Sequence, residues 1–426
     1  MRIIACEMKK IWNIKIIGII VVISALFYLL FMHHYIRWYP EKGTWESFVE
    51  FAHHLTENYG TKLSPSDFED FLNLREGIVS EMDLFISSNP VFVAAGIHDF
   101  LSYEIFLEDS NYRYETLSEA ERNLRYALRL ELGYIIRSEF INEDEYTTLT
   151  SENETPLAYM QIRRFDMLVS MYQMNILGES ERESMIDSFM RHFSTMENFT
   201  VNERDLQRLI EIRDSGEMLN IMEQLTMDYT WRYGRSLAVL AILATLILVS
   251  PLIATDRANR INWLQYSSKQ GRGILKKQFF AILLSAVMLT TVLVIIFGGI
   301  FSTLETWRFW NNGINSFMSY PYHWLSITYG QYVLLMVGVI YLFSIGTAIF
   351  AFTLSRFSQN MVRLMFKVIP SFVAAQRLSN WVLFNFLGIF VGGDVFAQMF
   401  WTLLALVAVT VIAMGVLHRE KKCELM

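Results

Sequence analysis

The sequence predicts an all-α membrane protein with six transmembrane helices and a large, mostly helical extracytoplasmic domain between the first and the second helix. Of its 426 residues, 53% are hydrophobic and only 19% are charged, whereas soluble proteins usually carry about a quarter charged residues. Several apolar runs reach the length of roughly 20 residues that a helix needs to cross a bilayer core. The acidic and basic residues also occupy different parts of the chain.

Six segments are predicted to cross the membrane, five of them from plain apolar runs and the fifth in order from a less uniform run. The first run is longer than the apolar core of a signal peptide, and no small-residue cleavage site follows it. It is therefore predicted to stay in the protein as a helix. The predicted transmembrane segments are residues 14–32, 236–254, 278–301, 329–354, 362–376 and 395–417.

The distribution of charge predicts the orientation of the chain. Residues 33–235 contain 37 acidic and 18 basic side chains, whereas the rest contains 6 acidic and 18 basic ones. Since Lys and Arg close to membrane helices mark the cytoplasmic side, residues 33–235 are predicted to form an extracytoplasmic domain. Both termini, including the tail 418–426, are predicted to be cytoplasmic, and the chain is expected to be a multi-pass protein of the cell membrane in contact with lipid. The only cysteines, Cys6 and Cys423, fall in the predicted cytoplasmic tails, so the outer domain has no disulfide.

Residues 1–13 precede the first predicted span. Ile4, Met8, Ile11 and Trp12 recur at helical spacing, with lysines at other positions. This pattern is typical of an amphipathic cytoplasmic helix that lies on the inner membrane surface. A simple extension of the first span explains the same pattern equally well.

The outer domain is predicted to be mostly helical. Ser118 and Glu121 form a capping-box pattern ahead of an apolar stripe, and another helix is expected after Ser64-Pro65. Residues 141–156 are polar, acidic and end in proline, which predicts an exposed loop. The acidity of the domain has two interpretations. In one, it keeps the domain soluble and keeps positive charge off the outer side; in the other, it steers a cationic peptide or drug toward the protein.

The connections between the later spans are predicted to be short. Residues 302–328 form an outer loop whose Trp307, Trp310 and Trp324 suit the headgroup layer, where aromatic side chains anchor membrane proteins. Residues 355–361 form a cytoplasmic loop.

Sequence motifs for catalysis are missing. The chain contains no GxxxxGK[ST] phosphate-binding loop, no HExxH and no GxSxG. The pairs His33-His34 and His53-His54, with Glu57, lack a recognisable metal-ligand spacing. The chain is therefore predicted to have no catalytic residues, no metal site and no cofactor of its own, and no nucleic-acid partner is expected.

Residues 255–277 form a short basic segment between the second and the third predicted span. They contain one acid, Asp256, and six bases: Arg257, Arg260, Lys269, Arg272, Lys276 and Lys277. The first part can form a short helix in which Ile261, Trp263, Leu264 and Tyr266 lie among basic residues. Periodicity supports two interpretations equally: a helix that a cytoplasmic motor protein grips, and a positive-inside loop whose tryptophan rests at the interface.

The order of these elements resembles that of the permease subunits of ABC exporters of the type-2 (ABC-2) superfamily. In that family an inner-surface helix, a first span, an outer insert and a second span precede a cytoplasmic coupling helix and four more spans. The resemblance covers the membrane part, about half of the chain, and the stretch YSSKQGRGILKKQ is especially similar to permeases of low-GC Gram-positive bacteria. The positions that match the coupling pattern are Asp256, Trp263, Leu264, Ser267, Ser268, Gly271, Arg272 and Lys276 or Lys277. Arg260-Ile261 stand where the family commonly has Gly-Thr, and Gln270 stands where it commonly has Pro.

The resemblance implies partner chains. A separate ABC ATPase would hold ATP and Mg²⁺, and a second permease subunit, identical or related, would complete the route for a hydrophobic or cationic cargo such as a peptide or an antibiotic. The residues implied to couple to the ATPase are Asp256, Arg260, Trp263, Leu264, Gly271, Arg272 and Lys276. The alternative from another class is a non-transporting relay in signalling or envelope remodelling, whose outer domain binds a partner.

The resemblance also divides the fifth apolar run. In that fold the fifth helix is followed by an outer helix that dips into the membrane, so residues 362–376 would cross and residues 377–394 would form the re-entrant helix. Lys367 would then extend toward the inner side, and Arg377 would lie at the outer boundary. The alternative is one long helix with Arg377 in the middle of the membrane, where a charge costs at least ~2.5 kcal/mol and is usually functional.

Overall fold

In a computed structural model the described chain is helical, apart from two isolated β-bridges, Lys62–Asn220 and Gly313–Thr328. The structure describes residues 2–39, 49–113, 117–133, 157–173, 176, 203–259, 261, 273–319, 322–358, 361–386, 403–404, 406–415 and 418. No β-strand occurs within these ranges, which confirms the all-α part of the predicted fold class.

The chain begins with two helices separated by a break. α1 (Arg2–Ile11) is followed by α2 (Ile14–Phe31). Asn13 begins α2, because its side-chain oxygen accepts a hydrogen bond from the backbone N–H of Lys15 at 2.9 Å. A new helix with its own cap is not an extension of the first span, and the interpretation of α1 as such an extension is therefore wrong. The short helix α3 (His33–Arg37) follows.

The next helices fall within the predicted outer domain. They are α4 (Val49–Tyr59), α5 (Pro65–Ser88), α6 (Pro90–Ala94), α7 (Phe100–Arg113), α8 (Glu119–Gly133), α9 (Leu157–Tyr172) and α10 (Glu203–Asp214). The capping box at Ser118 and Glu121 is confirmed: the Ser118 N–H donates to Glu121 Oε2 at 2.9 Å, and the Glu121 N–H donates to Ser118 Oγ at 3.3 Å. The predicted loop 141–156 lies outside the described residues.

These helices bury two apolar clusters. One joins α4, α5 and α9 through Phe51, Phe71 and Phe165, and the ring of Phe165 lies 4.9 Å from that of Phe51 and 4.8 Å from that of Phe71. This cluster is continuous with the core of the later helices. The second cluster lies beside α5, α6 and α7, around Phe92 and Tyr103.

The remaining helices form a bundle. They are α11 (Gln224–Val249), α12 (Pro251–Ala258), α13 (Ile274–Ser302), α14 (Tyr329–Arg356), α15 (Met361–Phe386) and α16 (Leu406–Gly415). Four helical segments of the described chain are long and apolar enough to cross a membrane, by length and composition: Ile14–Phe31, Gln224–Asp256, Ile274–Ser302 and Tyr329–Arg356.

α11 lies at the centre of this bundle. Its apolar window is 83% buried, against 11% for that of α2. At mid-bundle, Ser344 on α14 hydrogen-bonds with Thr245 on α11 at 2.9 Å and with Thr290 on α13 at 2.6 Å. One hydroxyl group therefore connects three helices. The backbone N–H and C=O groups at this level are already hydrogen-bonded within each helix, so side chains must form the bonds between helices.

Two helix boundaries around α11 differ from the predicted ones. The helix begins at Gln224, twelve residues before the predicted span 236–254, because Glu223 caps it by accepting the Thr226 N–H at 2.9 Å. The predicted span is also interrupted near its other end, where α11 ends at Val249 and Pro251 begins α12. Proline suits the first turn of a helix because it has no N–H to donate.

α15 also differs from the prediction. The preferred prediction has a span at 362–376 and a re-entrant helix at 377–394, but the described helix passes through Arg377 and ends at Phe386, in agreement with the alternative of one long helix. The residues around the expected break, Ala-Ala-Gln-Arg-Leu, are strong helix formers, so nothing in the local sequence ends the helix there. The positions after 386 in the predicted re-entrant helix lie outside the described residues.

Two hydrogen bonds with α11 determine the position of the C-terminal half of α15 along the bundle. Arg235 Nε donates to the side-chain oxygen of Asn380 at 3.0 Å, and the indole N–H of Trp231 donates to the backbone oxygen of Leu383 at 3.0 Å. Arg377 is exposed and lies three residues before Asn380. It is therefore within about one helical turn of the polar layer around Arg235.

A polar joint attaches α10 to the connection between α13 and α14. The Arg208 guanidinium donates to Glu217 at 3.1 Å, to Ser326 Oγ at 2.6 Å and to the backbone oxygen of Trp324 at 2.9 Å. Asn315 donates to the same Glu217 carboxylate at 2.7 Å. Arg208 is only 9% exposed, so these bonds replace water at most of its donors.

Candidate functional site

Three helices meet at one end of the bundle, beside the basic segment. α1 packs on α13, and α12 contacts α1. Glu7, Asp256 and Gln278 are almost fully enclosed there, with 3%, 3% and 2% of their surfaces exposed. Two enclosed carboxyl groups side by side require hydrogen-bond donors, because a buried charge without a partner is strongly destabilising.

Gln278 supplies a donor that both carboxyl groups share. Its side-chain nitrogen lies 3.0 Å from Glu7 Oε2 and 3.1 Å from Asp256 Oδ2. The amide NH₂ has two hydrogens, so one can go to each acid. A single amide on α13 therefore holds α1 and α12 together.

Lys10 supplies the positive charge of the cluster. Its Nζ atom lies 2.9 Å from Glu7 Oε1 and 3.5 Å from Asp256 Oδ2. Burial by itself would lower the pKa of Lys10, but hydrogen bonding and attraction to Glu7 and Asp256 outweigh burial and raise that pKa above its ordinary 10.5. The ammonium group thus stays charged at neutral pH and offsets one of the two acids.

The rest of α1 reinforces this attachment. The indole N–H of Trp12 donates to Ser285 Oγ on α13 at 3.1 Å, and Ile11 is 1% exposed. Ile4 and Met8 are partly buried against the same core. The face that the sequence predicts to lie on the membrane surface therefore packs at least partly on protein.

The structure describes two of the residues predicted to couple to an ATPase. Asp256 lies inside the cluster, and Lys276 is exposed in the first turn of α13. The other predicted coupling residues lie outside the described residues; they are Arg260, Trp263, Leu264, Gly271 and Arg272. The enclosed Asp256 is thus a structural partner of α1 and α13.

Sequence reasoning missed Glu7, Lys10 and Gln278. A signal was present for one of them, since Glu7 is the only acidic residue before His33 and lies on the face of α1 that holds Ile4 and Ile11. An acid on the apolar face of an otherwise basic helix indicates a buried partner. Gln278 carries no such signal, because glutamine is a common helix residue on any face.

No protein-family model matches the chain, and neither does any curated protein or solved structure. Among the described residues no group of three or more His, Cys, Asp or Glu side chains is arranged to hold a metal ion. The cluster of Glu7, Lys10, Asp256 and Gln278 is therefore interpreted from its geometry alone. It contains a lysine and an amide held in place by acids, and it can transmit force between helices that it joins.

Glu223 marks the opposite end of α11. It is 4% exposed, and it accepts the Thr226 N–H. The hydroxyl groups of Tyr39 and Thr226 hydrogen-bond beside it at 2.9 Å. Burial raises the pKa of Glu223 from its ordinary 4.5 to about 7, although its backbone hydrogen bonds oppose the shift. This carboxyl group therefore changes charge near neutral pH.

Replacing Gln278 by Met is expected to destabilise the cluster. The change keeps the size of the side chain but removes the donor shared by Glu7 and Asp256, so the free energy of unfolding should fall by about 3 kcal/mol. The measurement is equilibrium unfolding of the purified protein in mixed micelles, with hydrogen exchange of α1 as a local readout. Lys276→Met, at an exposed position on the same helix, is the control. Equal effects of the two changes would contradict the proposed role of Gln278.

The Glu223 carboxyl group is expected to make stability depend on pH. Its pKa is higher in the folded state, so the folded protein keeps this proton between pH 4.5 and about 7 while the unfolded chain has lost it. Stability should therefore fall by up to about 3 kcal/mol as pH rises through this window. When unfolding is measured at a series of pH values, the Glu223→Gln protein should not show this fall in stability. The exposed Glu69→Gln should retain it, and an unchanged pH profile for Glu223→Gln would rule out the assignment.

Proposed function

We propose that this chain is the transmembrane (permease) subunit of an ATP-driven ABC exporter. In this proposal it has six spans, with α15 and α16 contributing to the fifth and sixth, and residues 33–235 lie outside the cell. A separate ABC ATPase binds ATP and Mg²⁺ and docks on residues 255–277. A second permease subunit, identical or related, completes the route, and the cargo is a hydrophobic or cationic compound such as a peptide or an antibiotic.

The observation that supports this proposal is the cluster around Asp256. Asp256 lies at the start of the basic segment, and Gln278 lies directly after it. Their hydrogen bond, together with those to Glu7 and Lys10 on α1, joins both ends of that segment. A force applied to the segment would therefore reach α12, α13 and α1 together, as a motor-driven exporter requires.

The positions of the basic residues support the proposed orientation. Lys276 at the start of α13, Arg356 at the end of α14 and Arg363 at the start of α15 all belong to the end of the bundle where α1 lies. Lys367 extends in the same direction, and its Nζ donates to the backbone oxygen of Phe357 at 2.9 Å. Basic residues concentrated at one end mark it as cytoplasmic.

The same orientation accommodates Arg377. The neighbouring Asn380 contacts Arg235, which precedes the predicted second span. A long arginine side chain one turn inside such a layer can extend to water. The continuous helix α15 thus does not require a charge at the middle of the bilayer.

Affinity purification tests the proposal most directly. The tagged chain, extracted from its own membranes in mild detergent, should retain an ATPase with a phosphate-binding loop. Changing Trp263 and Leu264 to Asp should lower ATPase recovery by at least roughly tenfold, since two apolar contacts of this size are each expected to contribute more than 1 kcal/mol. Mass spectrometry of the retained proteins gives the readout.

The variant must also be shown to fold. It should match the native chain in gel filtration and unfolding, because neither changed residue is one of the four that form the cluster of Glu7, Lys10, Asp256 and Gln278. Absence of any ATPase from both purifications would overturn the permease assignment. Equal recovery from both would place the ATPase contact elsewhere on the chain.

The relay is the second candidate, and the joint around Arg208 favours it. Glu217 receives hydrogen bonds from Arg208, Asn315 and Ser326, so α10 is bonded to the connection between α13 and α14. A partner that binds the outer helices could therefore shift α13 and α14 without passing through the membrane. In this case the bundle reports binding and moves no cargo.

The relay predicts that Arg208→Met uncouples the outer helices from the bundle. A partner retained by the outer helices would still bind, but its addition would no longer change the rate of ATP hydrolysis in the purified complex, because Glu217 loses its guanidinium partner. Arg213→Met, on the same helix and paired with its neighbour Asp214, should leave the response intact. A response that survives Arg208→Met would exclude this pathway.

A further inference from the structure

A groove runs along α14, between this helix and residues of α15 and α16. Its volume is about 810 Å³, and its walls include Gly338, Phe343, Val382 and Leu403. Of the lining residues that the structure describes, all but Gln331 are apolar or glycine. Cavities of this size and composition hold small apolar molecules when a few polar groups fix their orientation.

The groove ends on one side where α14 and α16 pack closely against each other. A Cβ atom added at Gly346 on α14 would lie 2.5 Å from Leu406 Cδ2, so α14 and α16 touch there. At Gly338, two turns earlier, an added Cβ would meet no heavy atom of the described residues within 4 Å. The helices therefore separate from Gly346 toward the start of α14. From Gln331 to Phe343 the groove follows twelve residues, about 18 Å of helix.

The opposite end of the groove holds its polar group. Gln331 Oε1 accepts the Thr328 N–H at 3.1 Å in a capping box, so the amide oxygen is occupied. Within the described part of the chain, the Gln331 NH₂ group makes no hydrogen bond shown by the structure. The adjacent Gly330 donates its N–H to the backbone oxygen of Trp310 at 2.9 Å, which places Gln331 close to Trp310 at the start of α14.

We propose that this groove binds one acyl chain of a bilayer phospholipid. The ester carbonyl of the lipid accepts a hydrogen bond from the Gln331 NH₂ group, and the chain lies over Gly338 and ends near Phe343. A long narrow apolar groove with one donor at its headgroup end complements a chain that has one acceptor at its head. The proposal needs α14 to lie in a bilayer, but it does not need an ATPase partner.

Photolabelling of the full chain tests the site. The protein is reconstituted in nanodiscs with phosphatidylglycerol that carries a diazirine at the end of one acyl chain, and labelled peptides are mapped by mass spectrometry. Label should concentrate near Phe343 and Leu403. Gly338→Trp fills the open space and should lower this label by about tenfold, as expected when two methylene groups lose their contacts. Gly299→Trp on α13, where an added Cβ also meets no atom within 4 Å, is the matched control.

A second variant tests the Gln331 NH₂ donor without removing the helix cap that Gln331 forms with Thr328. Gln331→Glu keeps an acceptor for the Thr328 N–H but loses the NH₂ group, so label at the groove should fall while unfolding stays unchanged. Label spread evenly over the exposed faces of α2, α13 and α14, with no effect of Gly338→Trp, would overturn the proposal. So would a groove left unlabelled in the native protein while these other faces are labelled. Loss of ATPase from the purified complex would not bear on this result.

Discussion

The arrangement of the bundle depends on two carboxyl groups that are withdrawn from water. Glu7 and Asp256 are both nearly enclosed, and each loses strong hydration on folding. The loss is compensated only where Gln278 and Lys10 are within hydrogen-bonding distance of both acids. The requirement for these donors thus fixes the positions of α1, α12 and α13 relative to one another more strictly than apolar contact does.

The central helix α11 connects this constraint to the other end of the molecule. Glu223 begins α11, and Asp256 follows on α12 after the interruption at Pro251. Thr245 and Ser344 hold the middle of α11 to α14. Each end of α11 therefore lies beside an enclosed acid, and a displacement of α12 is carried to the opposite end of the bundle through one buried element.

Sequence patterns predicted the parts of this fold that depend on local chemistry. The apolar runs, the helix cap at Ser118 and the all-α class follow from residues close together in the chain. The site depends on pairs far apart, such as Gln278 with Glu7, separated by 271 residues, and periodicity carries no information about such pairs. For α15 the preferred prediction was wrong, because the resemblance placed a break at Arg377 where the local residues favour helix, and the alternative of one long helix agrees with the structure.

Polar joints determine how such a bundle can move. Inside a membrane, apolar side chains gain little by leaving lipid for another helix, so packing alone resists sliding weakly. The joints around Asp256 and Arg208 each combine charge with several hydrogen bonds, and sliding of one helix would break several bonds at once. A push on the basic segment therefore favours rigid movement of α1, α12 and α13 together. The joint around Arg208, which ties α10 to the connection between α13 and α14, would follow the same movement because that connection continues directly from α13.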